Sequence, residues 1–188
     1  MLKRYLLAPG PTQIPPEVLL KMAEPMVHHR NPMFEVVVDE VRENLRHLFG
    51  TGNEVLIFSS SGTGAMEGAV TNMLSPGDRA VVVRSGKFGE RWAEICRAYG
   101  VECVNIDLPW GDVLDPAVVE RTLKENPDAK AVYMQATETS TGTMFPVREV
   151  AAIVRECPGT LMVVDGITGV GVFPLPMDEW GIDVLIGG

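Results

Sequence analysis

The stretch "VVVRSGKFGERWAEIC" (81–96) decides how the fold is read. Three consecutive valines show no polar alternation, so a strand here is covered on both faces. Ser85 and Gly86 break the run, and an amphipathic helical stretch (88–99) begins at once. A doubly covered strand running into an amphipathic helix is half of a βαβ unit.

The same rhythm extends in both directions. "EVLIF" (54–58), "RAVVV" (79–83), "VECVNI" (101–106), "KAVYMQ" (130–135), "TLMVVD" (160–165) and "IDVLI" (182–186) are short β-branched runs. Helical stretches at 63–74, 88–99, 116–125 and 147–156 separate most of them, and "LDPAVVERTL" supplies an Asp N-cap followed by Pro at the first helical position. Two further helical patterns, 17–24 and 33–49, precede them, after the proline-rich "LAPGPTQIPP" that reads as an extended arm. Alternating strand and helix predicts a doubly wound α/β domain with a mostly parallel sheet and helices on both faces.

Composition narrows the partners. The 188 residues are 46% apolar and 22% charged, with 16 basic residues against 25 acidic ones for a net charge of −9. That balance argues against a nucleic-acid or anionic-membrane surface while leaving room for a small anionic ligand. No run approaches the ~20 apolar residues of a membrane span. "MLKRYLLAPGPT" is a poor signal peptide. Cys96, Cys103 and Cys157 lack metal-ligand or CxxC spacing, so buried free thiols in a cytoplasmic protein, with no metal, are expected.

Four segments can carry chemistry. "FSSSGTGAMEGAV" (58–70) runs through a small polar turn into a helix; Gly62 and Gly64 admit close approach, while Ser61 and Thr63 offer hydroxyls. Such a turn is either an anion site or a plain strand-to-helix connection. A dinucleotide fold fits it less well: the glycines read GxGxxxG, the next strand ends at Arg84 rather than an acid, and no tyrosine has a lysine four residues on. Phe88 can stack on a planar cofactor or serve as a core residue. "QATETSTGTMFP" (135–146) places Glu138, Thr139, Ser140 and Thr141 after a strand, as caps or as polar ligand contacts. Asp165 ends the apolar strand of "LMVVDGITGVG" (161–171), and a carboxylate there needs either a cationic partner or a turn to cap.

Together these segments resemble the class V aminotransferases, fold-type-I enzymes that use pyridoxal 5′-phosphate (PLP), and within them the alanine/serine–glyoxylate branch. The matching pieces are "APGPT" (8–12), "HHRNPMF" (28–34), "SSSGTGAMEGA" (59–69), "SGKFGERW" (85–92), "TETSTG" (137–142) and "VVDGITGVG" (163–171), closing in "DVLIGG", in the family's order. The resemblance implies a phosphate cradle of Ser61, Gly62 and Thr63, with Phe88 stacked on the pyridine ring and Ile167 on its other face. It makes Thr139 the contact to the ring's O3′ oxygen and Asp165 the partner of the pyridinium nitrogen. Gly10 and Pro11 resemble the arm lining the substrate carboxylate, and 28–34 a dimer-interface segment. Many relatives have Trp where Phe88 stands, and cysteine desulfurases have His.

The resemblance also implies an organisation: an N-terminal arm (1–16), then the PLP-binding large domain of a fold-type-I transferase (17–188), incomplete at its C-terminus and without the C-terminal small domain. The family's Schiff-base lysine follows a Gly-Gly like Gly187-Gly188, so this chain is expected to be an N-terminal part, inactive alone, with neither Lys87 nor Lys130 in a matching context. The family inserts a strand between 54–58 and 182–186, and without it two apolar strand edges are expected to face an empty slot. The expected activity moves an amino group from alanine or serine to glyoxylate or pyruvate in a cytoplasmic homodimer. The alternative is a noncatalytic interaction subunit on the same fold, like proteins labelled soluble hydrogenase small subunits; a nucleotide-binding oxidoreductase is disfavoured.

Overall fold

The computed structural model describes residues 5–188. The first four residues of the arm read from sequence, with the basic pair of the signal-peptide test, lie outside them. The chain divides into two compact units, one ending at Leu45 and one running Arg46–Gly188. The first holds α1 (Pro16–Met22) and most of α2 (Pro32–Phe49). Pro16 opens α1 without the amide it lacks being missed, since first-turn amides have no intrahelical acceptor. Asn31 Oδ1 accepts from the Met33 amide at 2.9 Å where α2 starts.

In the second unit, five parallel strands form one sheet in the order β2-β1-β3-β6-β7. They are β1 (Arg79–Arg84), β2 (Glu102–Asp107), β3 (Ala129–Gln135), β6 (Leu161–Asp165) and β7 (Val184–Ile186). Between β3 and β6 lies a small antiparallel hairpin, β4 (Thr137–Glu138) and β5 (Thr143–Met144). The helices are α3 (Gly62–Met73), α4 (Lys87–Ala98), α5 (Pro116–Glu125), α6 (Val147–Arg155) and a single turn, α7 (Met177–Trp180). Asp115 caps α5 as its sequence predicts, accepting from the Ala117 amide at 3.0 Å.

Strict alternation along each strand builds two cores. Val81, Val83, Val132, Met134, Met162 and Val164 face α5 and α6, packing on Val119, Leu123, Val150 and Val154. Their neighbours Ala80, Val82, Ala131, Tyr133 and Val163 face α3 and α4, meeting Met66, Val70, Trp92 and Cys96. Trp92 and Tyr133 pack with ring centroids 4.7 Å apart and planes tilted by 38°. Both faces are thus covered, which is why these strands read as unbroken apolar runs. Of the three cysteines, all free, only Cys96 is fully buried; Cys103 and Cys157 are half-buried, short of the burial expected.

One expected strand does not form. Residues 54–58 are irregular, and Leu56, Ile57 and Phe58 are exposed. A strand exists only with a ladder partner, and a cleft of about 300 Å³ separates this segment from the edge strand β7. Leu56, Phe58, Ala69, Met73, Val184 and Leu185 line that cleft, so one sheet edge and one irregular apolar segment face it, rather than two strand edges.

Candidate active site

The strand order fixes where a ligand crevice can open. From β1 the chain steps outward to β2 and then returns to the other side of β1 for β3, so the connections leave β1 and β3 in opposite directions. Open α/β sheets bind ligands outside the carboxyl ends of strands at such a switch point. Phe88 follows the end of β1, Thr139 follows β3 on the hairpin, and Asp165 ends β6 with Ile167 two residues beyond.

Asp165 is the electrostatic centre. It is only 5% exposed, and Ile167 donates its amide to the carboxylate at 3.0 Å. Among the described residues no cation pairs with it. Loss of solvent lifts its carboxyl to about 6; the Ile167 amide pulls it down, and the charge of Glu138 pushes it up. Its register partner on β3 is Gln135, fully buried with neither carboxamide atom hydrogen-bonded. Ser85, at the end of β1, likewise has a buried hydroxyl without a partner. The floor of the crevice therefore holds a carboxylate short of a cation and polar groups short of partners.

Glu138 ties the crevice wall together. It is wholly buried, and its carboxylate accepts from the amides of Phe88 (3.2 Å), Gly89 (3.1 Å) and Ser140 (3.2 Å) and from the Ser140 hydroxyl (2.6 Å). An acid at the start of α4 satisfies first-turn amides and suits the positive end of the helix. It thereby fixes where Phe88, half-buried, projects. Gly86 is required beside it: a Cβ there would stand 2.5 Å from the Glu138 carboxyl carbon.

The remaining wall comes from α3. Ser61 is its N-cap, and Gly62 and Thr63 occupy the first helical positions. Their amides point out of the helix end with no intrahelical acceptor, the arrangement that holds an anion. Gly62 lies against Ile167, whose Cδ1 would be 2.1 Å from any Cβ at position 62. Thr139 shares a hydrogen bond with Thr168 at 3.1 Å, and Thr168 another with Thr137 at 2.6 Å. Ser61, Gly62, Thr63, Phe88, Thr139, Asp165 and Ile167 are thus all carried by elements that meet at this crevice. Ser61 is exposed and the others except Asp165 half-buried, so the wall is open above a buried carboxylate.

The family described as aminotransferase class-V matches residues 4–188. The chain belongs to the class-V aminotransferases. It is 34% identical to the crystal structure of an alanine–glyoxylate aminotransferase from Nostoc sp., with a TM-score of 0.93 over 100% of this chain and 49% of that one. A serine–glyoxylate aminotransferase of Methylorubrum extorquens is 32% identical over 99% of this chain and 47% of its own length. A protein of Synechococcus named "Soluble hydrogenase, small subunit" is 40% identical over 99% and 49%. The chain spans about half the length of the curated relatives it matches. Cysteine desulfurase CsdA from Escherichia coli, 15% identical with a TM-score of 0.70, shares the fold.

In this class-V aminotransferase chain, the two lysines and Arg84 have surroundings of their own. Lys87 is exposed, bonded to Glu90 at 2.8 Å with its ammonium 5.9 Å from the Trp110 ring centre, and Lys130 is exposed on β3. Arg84, standing where a dinucleotide fold would carry an acid, is paired with Asp107 at 2.6 Å. Gly10 and Pro11 belong to the first unit, where both are exposed. Sequence reasoning missed Arg91, Gln135 and Thr168 as site residues. All three lie inside or beside quoted motifs, but only the fold reveals what each touches.

Proposed function

We propose that this chain is the cofactor-holding portion of a PLP-dependent aminotransferase acting on a small amino acid and a 2-oxo acid. The observation that carries the reading is Asp165, a buried carboxylate that pairs with no cation among the described residues and lies beneath an open wall of hydroxyls and helix-end amides. That donor set fits a planar heterocycle protonated at nitrogen and bearing a phosphate. Asp165 would pair with the ring nitrogen, Phe88 and Ile167 would flank the ring, Thr139 would meet its O3′ oxygen, and Ser61, Gly62 and Thr63 would hold the phosphate. The cofactor supplies an electron sink for charge developing at the substrate α-carbon.

The protein's own part is positioning and charge. Asp165 would favour the protonated ring nitrogen, because a carboxylate beside a pyridinium stabilises its cationic form. Glu138 sets the start of α4 and so the stacking residue. Gly62 makes room for Ile167 to reach the ring face.

Alanine or serine as donor, and glyoxylate as acceptor, have the support of the relatives' names, and pyruvate as acceptor belongs to the proposal without that support. A cytoplasmic homodimer belongs to the same proposal. The noncatalytic alternative draws on relatives' names alone, such as that of the Synechococcus protein. Binding of pyridoxamine 5′-phosphate separates the two. This aldehyde-free form makes no adduct with surface lysines, and its fluorescence reports binding directly. Saturable binding that falls at least tenfold in Asp165→Asn supports the cofactor reading, while absence of binding by the unsubstituted chain overturns it.

A further inference from the structure

Arg91 does not belong to the cradle as read from sequence, yet it reaches it. It sits on α4 three residues after Phe88, so the two share one side of that helix. Its Nη1 donates to the Thr63 hydroxyl oxygen at 3.0 Å. Thr63 is the second residue of α3, at the helix end assigned to the phosphate. Arg91 also pairs with Glu94, Nε to Oε2 at 3.3 Å, which anchors the guanidinium on its own helix.

A threonine hydroxyl has one proton and two lone pairs. With one lone pair occupied by a guanidinium donor, the Thr63 hydroxyl is left with its proton to give. A neutral hydroxyl that could turn either way becomes a committed donor facing the helix end. The guanidinium also brings a positive charge, shared with Glu94, to a site otherwise made of backbone amides and neutral hydroxyls. Charge-assisted hydrogen bonds of this kind are about twice as strong as neutral ones. A planar fork can hold Thr63 and Glu94 together while a lysine ammonium would have to choose its directions afresh.

We propose that Arg91 is the positioning residue that gives the α3 helix end its preference for a phosphate: it orients the Thr63 hydroxyl as a donor and supplies the cation behind it. The inference rests on the reading of Ser61, Gly62 and Thr63 as a phosphate cradle. It extends that reading by assigning the site's selectivity for phosphorylated over unphosphorylated ligand to a residue on the neighbouring helix.

The test compares pyridoxamine 5′-phosphate with pyridoxamine, which differ only in the phosphate, by equilibrium dialysis against the 188-residue chain. The unsubstituted chain is expected to prefer the phosphorylated ligand by at least tenfold. Arg91→Met should lower that ratio about tenfold through the phosphorylated ligand alone, leaving pyridoxamine affinity unchanged, and Arg91→Lys should restore part of it. Thr63→Val, with Arg91 intact, should lose the preference in the same direction, which keeps the test informative if Arg91→Met folds poorly. A wild-type ratio in Arg91→Met overturns the inference. Equal affinity of the unsubstituted chain for both ligands overturns the cradle reading itself, and Asp165→Asn, acting on the ring, should weaken both ligands alike.

Discussion

Gly62 and Ile167 are packed so closely that a Cβ on residue 62 would lie 2.1 Å from Ile167 Cδ1. The helix end and the loop after β6 therefore meet where the Ile167 side chain rests on Gly62. The contact joins the residue expected to face the ring with the turn expected to hold the phosphate.

Gly62→Ala should accordingly cost ligand affinity more than stability. The isoleucine tip can rotate away, so overpacking costs about 1 kcal/mol, partly offset by the better helix propensity of alanine. Its new position is the ring face, and pyridoxamine 5′-phosphate binding should fall at least tenfold. The double variant Gly62→Ala/Ile167→Ala should recover most of the affinity lost in the single one, measured as a coupling in a double-mutant cycle. Independent, additive effects would mean the contact has no bearing on the ligand.

Asp165 predicts a trade between stability and binding. Its carboxyl sits at about 6 in the fold against 3.8 unperturbed, so between those values the folded chain binds the extra proton. Stability then falls as pH rises through that window, and the full cost, about 3 kcal/mol, is present at pH 7. Asp165→Asn, which keeps an acceptor for the Ile167 amide, should stabilise the ligand-free chain at pH 7 and change it little at pH 4. Urea denaturation at the two pH values measures this. An asparagine variant no more stable than the parent at pH 7 would remove the electrostatic argument for a cationic ligand.

Much of this site was legible in the sequence because its parts are local. Asp165 ends an apolar run, the Ser-Gly-Thr turn opens a helix, and Phe88 starts one. The parallel strands were legible for the same reason: Val81, Val83, Val132 and Val164 are covered on both sides, and their runs have no polar alternation. Residues 54–58 have the same composition, yet no ladder partner adjoins them, and composition carries no information on partners. Glu138 stood in a quoted motif as one polar residue among hydroxyls. Its task of holding the start of α4 depends on groups 49 and 50 residues away. Arg91 and Thr168 escaped for that reason too, since each acts through a side chain on another element.

Glu138 is a costly side chain to change. The carboxylate is wholly buried, and its two oxygens take hydrogen bonds from three amides and one hydroxyl. Glutamine, though equal in shape, would turn an amide group toward donors, so Glu138→Gln should destabilise by about 2–4 kcal/mol. Tenths of a kcal/mol in urea denaturation would show that the four contacts are replaceable by water.

The hydroxyl chain Thr137–Thr168–Thr139 makes a prediction about direction. A hydroxyl bonded to two others can donate to only one, so Thr168 decides which way the chain runs. If Thr139 is to donate to the O3′ oxygen of the ligand, it must accept from Thr168, which in turn accepts from Thr137. Thr168→Val removes the middle hydroxyl with little change of volume and frees Thr139 to point either way. Affinity for pyridoxamine 5′-phosphate should fall about three- to tenfold, in line with a net hydrogen-bond contribution of about 1 kcal/mol. Thr168→Ser should keep it, because the hydroxyl remains. The decisive comparison is with 3-deoxypyridoxamine 5′-phosphate, which lacks the oxygen. Valine and threonine chains should bind that analogue equally, and a persistent difference would mean that Thr168 acts on the fold rather than through Thr139.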